Sequence, residues 1–289
     1  MDKVETVESW YTTSDGNQLF TRTWKAVGNV KAKVVVVHGF GEHCGRYDEL
    51  LKNFAAQGIE SYSWDQRGFG ETAKKANTQG NAQGWNTVLG DVDNAILRHK
   101  VDGIPLFLMG HSMGGGIILS YLTQSDRYEG AAKLTAAIAS APLIQLTNPP
   151  PAPVFFALRY IAAAVVPNFT YSAGIDPSGI SRDTEEVETY KSDPLVSDAA
   201  TLATLKDMLV NGELLLKTSA KITTPILVAH GTADPINKFA ASKAMFEHIS
   251  SSDKNLLGFD GCYHELHHEV KDVKEKVTKD YIDWIKAHL

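Results

Sequence analysis

Residues 110–116 read Gly110-His111-Ser112-Met113-Gly114-Gly115-Gly116 and follow the apolar run Pro105-Leu106-Phe107-Leu108-Met109. Glycines two places before and two places after a serine suit a turn too tight for a Cβ on either flank. With a strand before it and a helix after it, such a turn holds the hydroxyl out at the top of a sheet and aims a helix N-terminus at it. The chemistry this permits is nucleophilic attack. A serine hydroxyl is a weak nucleophile at neutral pH, so it needs a base within hydrogen-bond reach and a third group to hold that base.

Two downstream segments offer those partners in the order Ser, Asp, His. The apolar run at residues 226–230 ends in Gly231-Thr232-Ala233-Asp234-Pro235, and the run at 254–259 ends in Asp260-Gly261-Cys262-Tyr263-His264. Each places its residue just past a strand end, on the rim that Ser112 occupies. The candidate roles are then Ser112 as nucleophile on an ester carbonyl, His264 as proton acceptor and donor, and Asp234 as the group that fixes the imidazole. The oxyanion formed by attack needs two backbone N–H donors. Met113, directly after the nucleophile, supplies one, and Phe40, in the loop His38-Gly39-Phe40-Gly41-Glu42-His43, supplies the other. Serine chemistry of this kind needs no cofactor and no metal, and neither is expected.

The elements that must position these groups alternate along the chain. Residues 7–24 read as a hairpin around Ser14-Asp15-Gly16-Asn17. Lys33-Val34-Val35-Val36-Val37-His38 reads as a strand buried on both faces. A helix over 47–57, a strand over 59–64, a helix over 87–99, the strand and helix around Ser112, and a strand over 134–140 follow. Beyond Ala141-Pro142 the rhythm breaks at Asn148-Pro149-Pro150-Pro151-Ala152-Pro153. It resumes with the strand at 226–230, a helix near 239–249, a strand over 254–259 and a helix over 269–288. This alternation predicts an α/β fold with a mostly parallel sheet and helices on both faces. The expected division is a core of residues 1–142 and 222–289 with residues 143–221 inserted as a cap above the strand ends, where such folds bind ligands. Within the cap, 199–209 has a helical pattern. Residues 154–166 are apolar almost throughout, broken by Arg159. Two readings of that run stand: a packed core helix, or a lid that lines an acyl-chain pocket and touches lipid.

Composition narrows the class. A chain of 289 residues with 43% hydrophobic and 21% charged residues is ordinary for a globular protein, and a net charge of −6 leaves no basic footprint for nucleic acid. Two cysteines cannot build a disulfide framework. The first residues, Met1-Asp2-Lys3-Val4-Glu5, lack the basic and apolar regions of an export signal, so the expectation is a cytoplasmic location, with peripheral contact to membranes or lipid droplets through the cap.

Two motifs point elsewhere. Gly39, Gly41 and Gly45 follow a strand and Asp65 ends the next, which resembles the glycine turn of short-chain dehydrogenases; the chain has no Tyr-x-x-x-Lys pair, and Glu42 would face a pyrophosphate. His264-Glu265-Leu266-His267-His268 contains His-Glu-x-x-His, a zinc signature that works only on a helix, and Gly261 lies just upstream.

Taken together, His-Gly-Phe-Gly-Glu-His with Arg46-Tyr47, Asp65-x-Arg67-Gly68-x-Gly70, Gly-His-Ser-Met-Gly-Gly-Gly, Tyr190-Lys191-Ser192-Asp193-Pro194-Leu195, Gly231-Thr232-Ala233-Asp234 and Tyr263-His264-x-x-His267 resemble the monoacylglycerol lipases of the α/β-hydrolase superfamily. Phe40 stands where many relatives carry a smaller alanine. The resemblance implies hydrolysis of monoacylglycerol to fatty acid and glycerol by Ser112, Asp234 and His264. It also implies that Glu42, Arg46, Tyr190 and His267 form the polar end that receives glycerol. The residues themselves leave open that Glu42 and Arg46 pair across a loop and that Tyr190 packs the cap. A broader carboxylesterase or lysophospholipase, and a hydrolase fold that only binds an apolar ligand, are the competing readings.

Overall fold

The predicted hairpin is present as β1 (Thr6–Thr12) and β2 (Gln18–Trp24), antiparallel, with Thr12 opposite Gln18. The structure, a computed structural model, describes residues 4–289 apart from the side chains of Leu158 and Arg159. Residues 1–3, at the start of the leader reading, and the Arg159 side chain lie outside the described residues. The remaining strands are β3 (Ala32–Val37), β4 (Ile59–Trp64), β5 (Leu106–His111), β6 (Ala136–Ser140), β7 (Thr170–Ser172), β8 (Ala199–Thr201), β9 (Ile226–Gly231) and β10 (Lys254–Phe259). Eight of them form one sheet in the order β1-β2-β4-β3-β5-β6-β9-β10; pairing is antiparallel at β1–β2 and β2–β4 and parallel elsewhere.

The valine run explains why the centre of this sheet is buried on both faces. Side chains alternate with period two. Val35 and Val37 join Leu108 and Val228 against Val92 of helix Trp85–His99, Ile118 of helix Met113–Leu122 and Leu215 of helix Leu202–Thr218. Val34 and Val36 join Phe107 and Leu227 on the opposite face, against Phe54 of helix Asp48–Ala56 and Tyr281 of helix Lys271–Lys286. The two helical layers leave only the carboxyl ends of the parallel strands for a site. Phe40 follows β3, Ser112 follows β5, Asp234 follows β9 and His264 follows β10.

Boundaries differ from the sequence reading where tertiary contacts decide them. Helix Gly70–Ala76 lies where the sequence pattern assigns no element; it starts because Asp65 Oδ2 accepts from Glu71 N at 2.8 Å and the Asp65 carbonyl accepts from Thr72 Oγ1 at 2.8 Å. The strand expected from residue 134 begins at Ala136. The helix expected at 199–209 begins at Leu202, capped by Thr201, and runs to Thr218, because Ala199–Thr201 pairs with β7 instead.

The chain leaves the sheet after β6 and returns at β9, and the insertion has two unlike parts. The later part is tied to the core: Ser197 N donates to Gly41 O at 2.8 Å, Thr201 N to Gly80 O at 3.0 Å, and Ala82 N to Thr204 Oγ1 at 3.0 Å. The earlier part carries helix Ala152–Phe156, a π-helical turn over Ala157–Ala162 and helix Ala163–Val165. Much of its apolar surface faces outward, with Phe156 and Ile161 57% exposed and Val165 75%, while Phe155 is half-buried and Ala163 buried. Of the two readings of the apolar run, the packed core helix is therefore wrong. Periodicity reports how apolar a face is and cannot report what lies against it. Among the described residues no helix is long and apolar enough to cross a membrane.

Glycine at 114 is a steric requirement: a Cβ there would sit 2.1 Å from the Val37 carbonyl oxygen and 2.5 Å from that of His38. Gly114→Ala is expected to cost about 3 kcal/mol or more, since the intruding atom meets backbone that cannot rotate away. Gly90→Ala, inside helix Trp85–His99 with nothing within 4 Å of the added atom, should instead stabilise by up to about 1 kcal/mol. Thermal melts of both variants check the contrast.

Candidate active site

Ser112 occupies the junction of β5 and helix Met113–Leu122 with φ 53° and ψ −119°. A side-chain-bearing residue held at positive φ is strained, and strain of this kind persists only where the surroundings enforce it. Here Ser112 N donates to Ser140 O at 2.9 Å, and Leu143 N and Gly116 N donate to Ser112 O at 2.9 and 3.0 Å. Gly110 completes the turn, since a Cβ on it would lie 2.3 Å from the Gly114 carbonyl. The result is a hydroxyl lifted off the sheet with a helix N-terminus behind it.

The loops after β9 and β10 bring the two partners to that hydroxyl. His264 Nε2 lies 2.9 Å from Ser112 Oγ, and His264 Nδ1 lies 2.7 Å from Asp234 Oδ2. All three residues are at most 8% exposed. Burial is the strongest single influence on His264 and pulls its pKa down, but the charge and hydrogen bond of Asp234, with Glu265 and Glu42 beyond, carry it above the ordinary value. Burial likewise opposes ionisation of Asp234; the neighbouring His264 and the hydrogen bonds from His230 and His264 outweigh it and hold the carboxyl well below the usual range. His111, whose ring centroid is 4.8 Å from that of His264, is pushed down to about 4 by burial and then by the charge of His264. It is neutral wherever the relay works.

Asp234 has four donors. Ile236 N and Asn237 N donate to Oδ1 at 2.7 and 2.9 Å. His264 Nδ1 and His230 Nε2 share Oδ2, the latter at 3.0 Å. The Asn237 amide reaches back to the nucleophile, with Nδ2 at 2.8 Å from Ala141 O and 3.5 Å from Ser112 Oγ. Facing the hydroxyl from β3 is the loop through Phe40. Gly39 N donates to Glu42 Oε1 at 2.6 Å, which fixes the turn. Among the described residues neither the Phe40 N–H nor the Met113 N–H meets a backbone acceptor.

Above Ser112 opens a cavity of about 200 Å³, lined by Phe40, Leu143, Leu146, Phe155, Leu205, Met208, Ile236 and Asn237 among others. Its wall is mostly apolar and is shared between the sheet's loops and the cap. Glu42, Arg46, Tyr190 and His267 are not on that wall. They form a buried cluster alongside: Arg46 is bidentate to Glu265 at 2.6 and 2.8 Å, reaches Glu42 Oε2 at 3.0 Å, and stacks its guanidinium 4.7 Å from the Tyr190 ring. His267 stacks on Tyr47 at 4.9 Å, and both of its ring nitrogens are buried without a partner among the described residues. Glu42 and Arg46 do pair across their loop, as one of the two readings had it. A larger groove of about 330 Å³ between helices Asp48–Ala56 and Lys271–Lys286 shares no residue with the Ser112 cavity; His267 lies on its wall.

Neither competing motif has the geometry it requires. Asp65, the residue a dinucleotide ribose would need, spends its oxygens on Cys44 N and Glu71 N. A Cβ on Gly41 would strike Ser197 O at 2.3 Å, so that glycine serves the docking of the cap. His264 and His268 do not share a helix face: residues 266–268 form a single 3₁₀ turn, and His268 turns to Glu265 Oε2 and the Arg46 carbonyl.

A family model described as serine aminopeptidase, S33, matches residues 28–271. A putative monoglyceride lipase of Schizosaccharomyces pombe is 35% identical over 275 residues, covering 93% of this chain and 71% of that protein, and the mouse monoglyceride lipase is 33% identical, covering 96% and 89%. The chain belongs to the monoglyceride lipase family. In three dimensions it superposes on a soluble variant of the Saccharomyces cerevisiae monoglyceride lipase, solved with a substrate analogue, at a TM-score of 0.88 with 27% identity and coverage of 99% and 96%. Its fold is that of the α/β-hydrolases within this family.

Sequence reasoning passed over four residues that the structure puts at the site. Glu265 lies 219 positions from Arg46, and nothing local marks the pair. Tyr47, which donates to Glu42 Oε1 at 2.7 Å, was taken only as part of a motif. His230 and Asn237 flank Asp234 at four residues before and three after, a spacing that the strand-end turn folds onto one carboxylate; that was a readable signal.

Arg46 is the arginine shared by two carboxylates that are 2–3% exposed, and its charge is the largest influence holding Glu42 and Glu265 below their ordinary pKa values against the pull of burial. Arg46→Ala is expected to destabilise by about 3–5 kcal/mol at neutral pH. The sign with pH follows. Carboxylates with depressed pKa values stabilise the wild type above the unfolded value of about 4.3; without Arg46 their burial as anions becomes a penalty that protonation relieves. The gap between variant and wild type should shrink as pH falls toward that value, which urea unfolding at pH 7 and pH 5 measures.

Proposed function

We propose that this chain is a serine hydrolase that cleaves monoacylglycerols into fatty acid and glycerol through an acyl-enzyme. The observation that carries the reading is the unbroken contact from Asp234 Oδ2 through His264 to Ser112 Oγ at 2.7 and 2.9 Å, opening into an apolar cavity. Ser112 Oγ attacks the ester carbonyl as His264 Nε2 takes its proton; the imidazolium is stabilised by Asp234. The N–H groups of Phe40 and Met113 receive the oxyanion. Collapse expels glycerol, whose alkoxide takes the proton from His264, and leaves the acyl chain on Ser112. Water then repeats the sequence and frees the fatty acid. The acyl chain lies in the cavity between core and cap, the cap being residues 143–221. The glycerol end lies on the other, polar side, toward Glu42, Arg46, Tyr190 and His267, and the unpartnered ring nitrogens of His267 suit hydroxyl groups.

The same reading gives the outward apolar face of the cap a purpose. A monoacylglycerol is dissolved in a lipid surface, and a patch containing Val154, Phe156, Ile161, Val165 and Phe169, each half exposed or more, lets the cap rest on that surface above the cavity mouth. The relatives' names, and the substrate analogue bound to the yeast enzyme, support the substrate class.

Three measurements test this. Ser112→Ala should fold, fail to label with a fluorophosphonate, and lose about 10⁶-fold in kcat on monoacylglycerol; a panel of mono-, di- and triacylglycerols turned over at equal rates by the wild type would refute the narrow specificity. The acid limb of kcat/KM reports His264, which must be neutral to act. Because Asp234 raises its pKa, activity should rise through a midpoint above the ordinary histidine value of about 6.5; Asp234→Asn should lower that midpoint and cost about 10⁴-fold in kcat. The triple change Phe156→Ser, Ile161→Ser and Val165→Ser should weaken binding to phosphatidylcholine vesicles at least about tenfold, with turnover of a short-chain dissolved ester unchanged.

A further inference from the structure

We infer that His230 is a positioning residue of this site, a fixed neutral donor that locks the Asp234 carboxylate in line with His264. The inference rests on the relay proposed above. His230 is the penultimate residue of β9, is fully buried, and packs edge-on against Phe239 at 5.7 Å. Its Nε2 lies 3.0 Å from Asp234 Oδ2 and 3.1 Å from the Asn237 carbonyl oxygen; its Nδ1 lies 2.9 Å from Ser242 Oγ. The partners dictate the tautomer. An ionised carboxylate and a carbonyl can only accept, so the proton is on Nε2. The buried Ser242 hydroxyl has Nδ1 as its one acceptor among the described residues, so it donates there and Nδ1 carries the lone pair. The chain of contacts reads Ser242 to His230 to Asp234 to His264 to Ser112.

This arrangement does two things for the relay. A carboxylate free to rotate about its Cβ–Cγ bond would present either oxygen, or neither, to the imidazole. With Oδ1 held by two backbone amides and Oδ2 held by His230, the plane of the carboxylate is fixed, and Oδ2 keeps the line to His264 Nδ1. His230 also withdraws part of the negative charge that Oδ2 would otherwise offer to the imidazolium. It gives up no proton at any step. The charged and titratable groups that face His264 are Asp234, Glu265, Glu42 and His111, and His230 acts on the first of these alone.

The test reads the basicity of His264 without depending on the natural substrate. The second-order rate of fluorophosphonate labelling at Ser112 is measured from pH 5 to pH 9 for the wild type, His230→Phe and His230→Gln, alongside thermal melts. Phenylalanine keeps a ring and removes the donor; glutamine returns an N–H near the position of Nε2. For His230→Phe the plateau rate should fall about tenfold or more, and the acid limb should move to higher pH by about half a unit, because Oδ2 then gives its full charge to the imidazolium. His230→Gln should recover most of both. An acid limb that stays put in His230→Phe while the plateau or the melting temperature drops would make His230 a packing residue and overturn the inference, as would a glutamine variant no better than phenylalanine. If the phenylalanine variant does not fold, nitrogen-15 spectra of the wild type decide: the inference requires His230 to remain protonated at Nε2 only while His264 titrates, and an Nδ1-protonated ring overturns it. A chain that labels normally but does not hydrolyse monoacylglycerols contradicts the substrate reading and leaves this test intact; a wild type that does not label at Ser112 overturns both.

Discussion

The site depends on a backbone conformation that a serine does not adopt unaided. Residue 112 is held at φ 53° because its amide and carbonyl are both committed, to Ser140 and to Leu143 and Gly116, and because Gly110 and Gly114 permit the chain to fold back on itself there. Everything else in the relay is placed relative to that point. The strain is offset by the packing of β3, β5 and β6 around it, strands in which every residue but Lys33 is buried. A fold that stores strain in its centre must be stiff there, and the alternating valines of β3, packed on both faces, supply the stiffness.

Two kinds of polar burial surround the nucleophile, and they differ in what they do. On one side, Asp234 is saturated by four donors, so its charge is stable and its direction fixed. On the other, Glu42, Arg46 and Glu265 form a charge cluster that ties the Phe40 loop, through Gly39 N and Tyr47, to the segment that carries His264. The Phe40 loop and the loop that carries His264 are thus clamped to each other.

Much of this could be read from the sequence, for a physical reason. Ser112, Asp234 and His264 each stand within five residues of the end of a strand-forming run, and in a parallel sheet all such positions share one edge. The strands at 59–64 and 254–259 were legible to the residue because each apolar-containing run ends on an aromatic followed by an aspartate, Asp65 and Asp260. What the sequence hid was set by partners distant along the chain. Helix Gly70–Ala76 starts from the Asp65 carboxylate, and the helix at Leu202 starts late because Ala199–Thr201 pairs with β7. Glu265 was invisible because its role exists only once residues 46 and 265 meet. The apolar run in the cap was ambiguous for a different reason: a face that packs on protein and a face that packs on lipid have the same composition.

The central claim is that the ester's acyl group passes through the Ser112 hydroxyl. Rapid quenching of the enzyme with a long-chain monoacylglycerol, followed by mass spectrometry of the intact chain and its peptides, observes that step directly. The account predicts a transient population heavier by one acyl group, carried on the peptide that contains residues 110–116 and decaying at the turnover rate. Turnover of the same substrate with the acyl group on another residue, or with quenched samples that never carry it while glycerol is released in a burst, would contradict it.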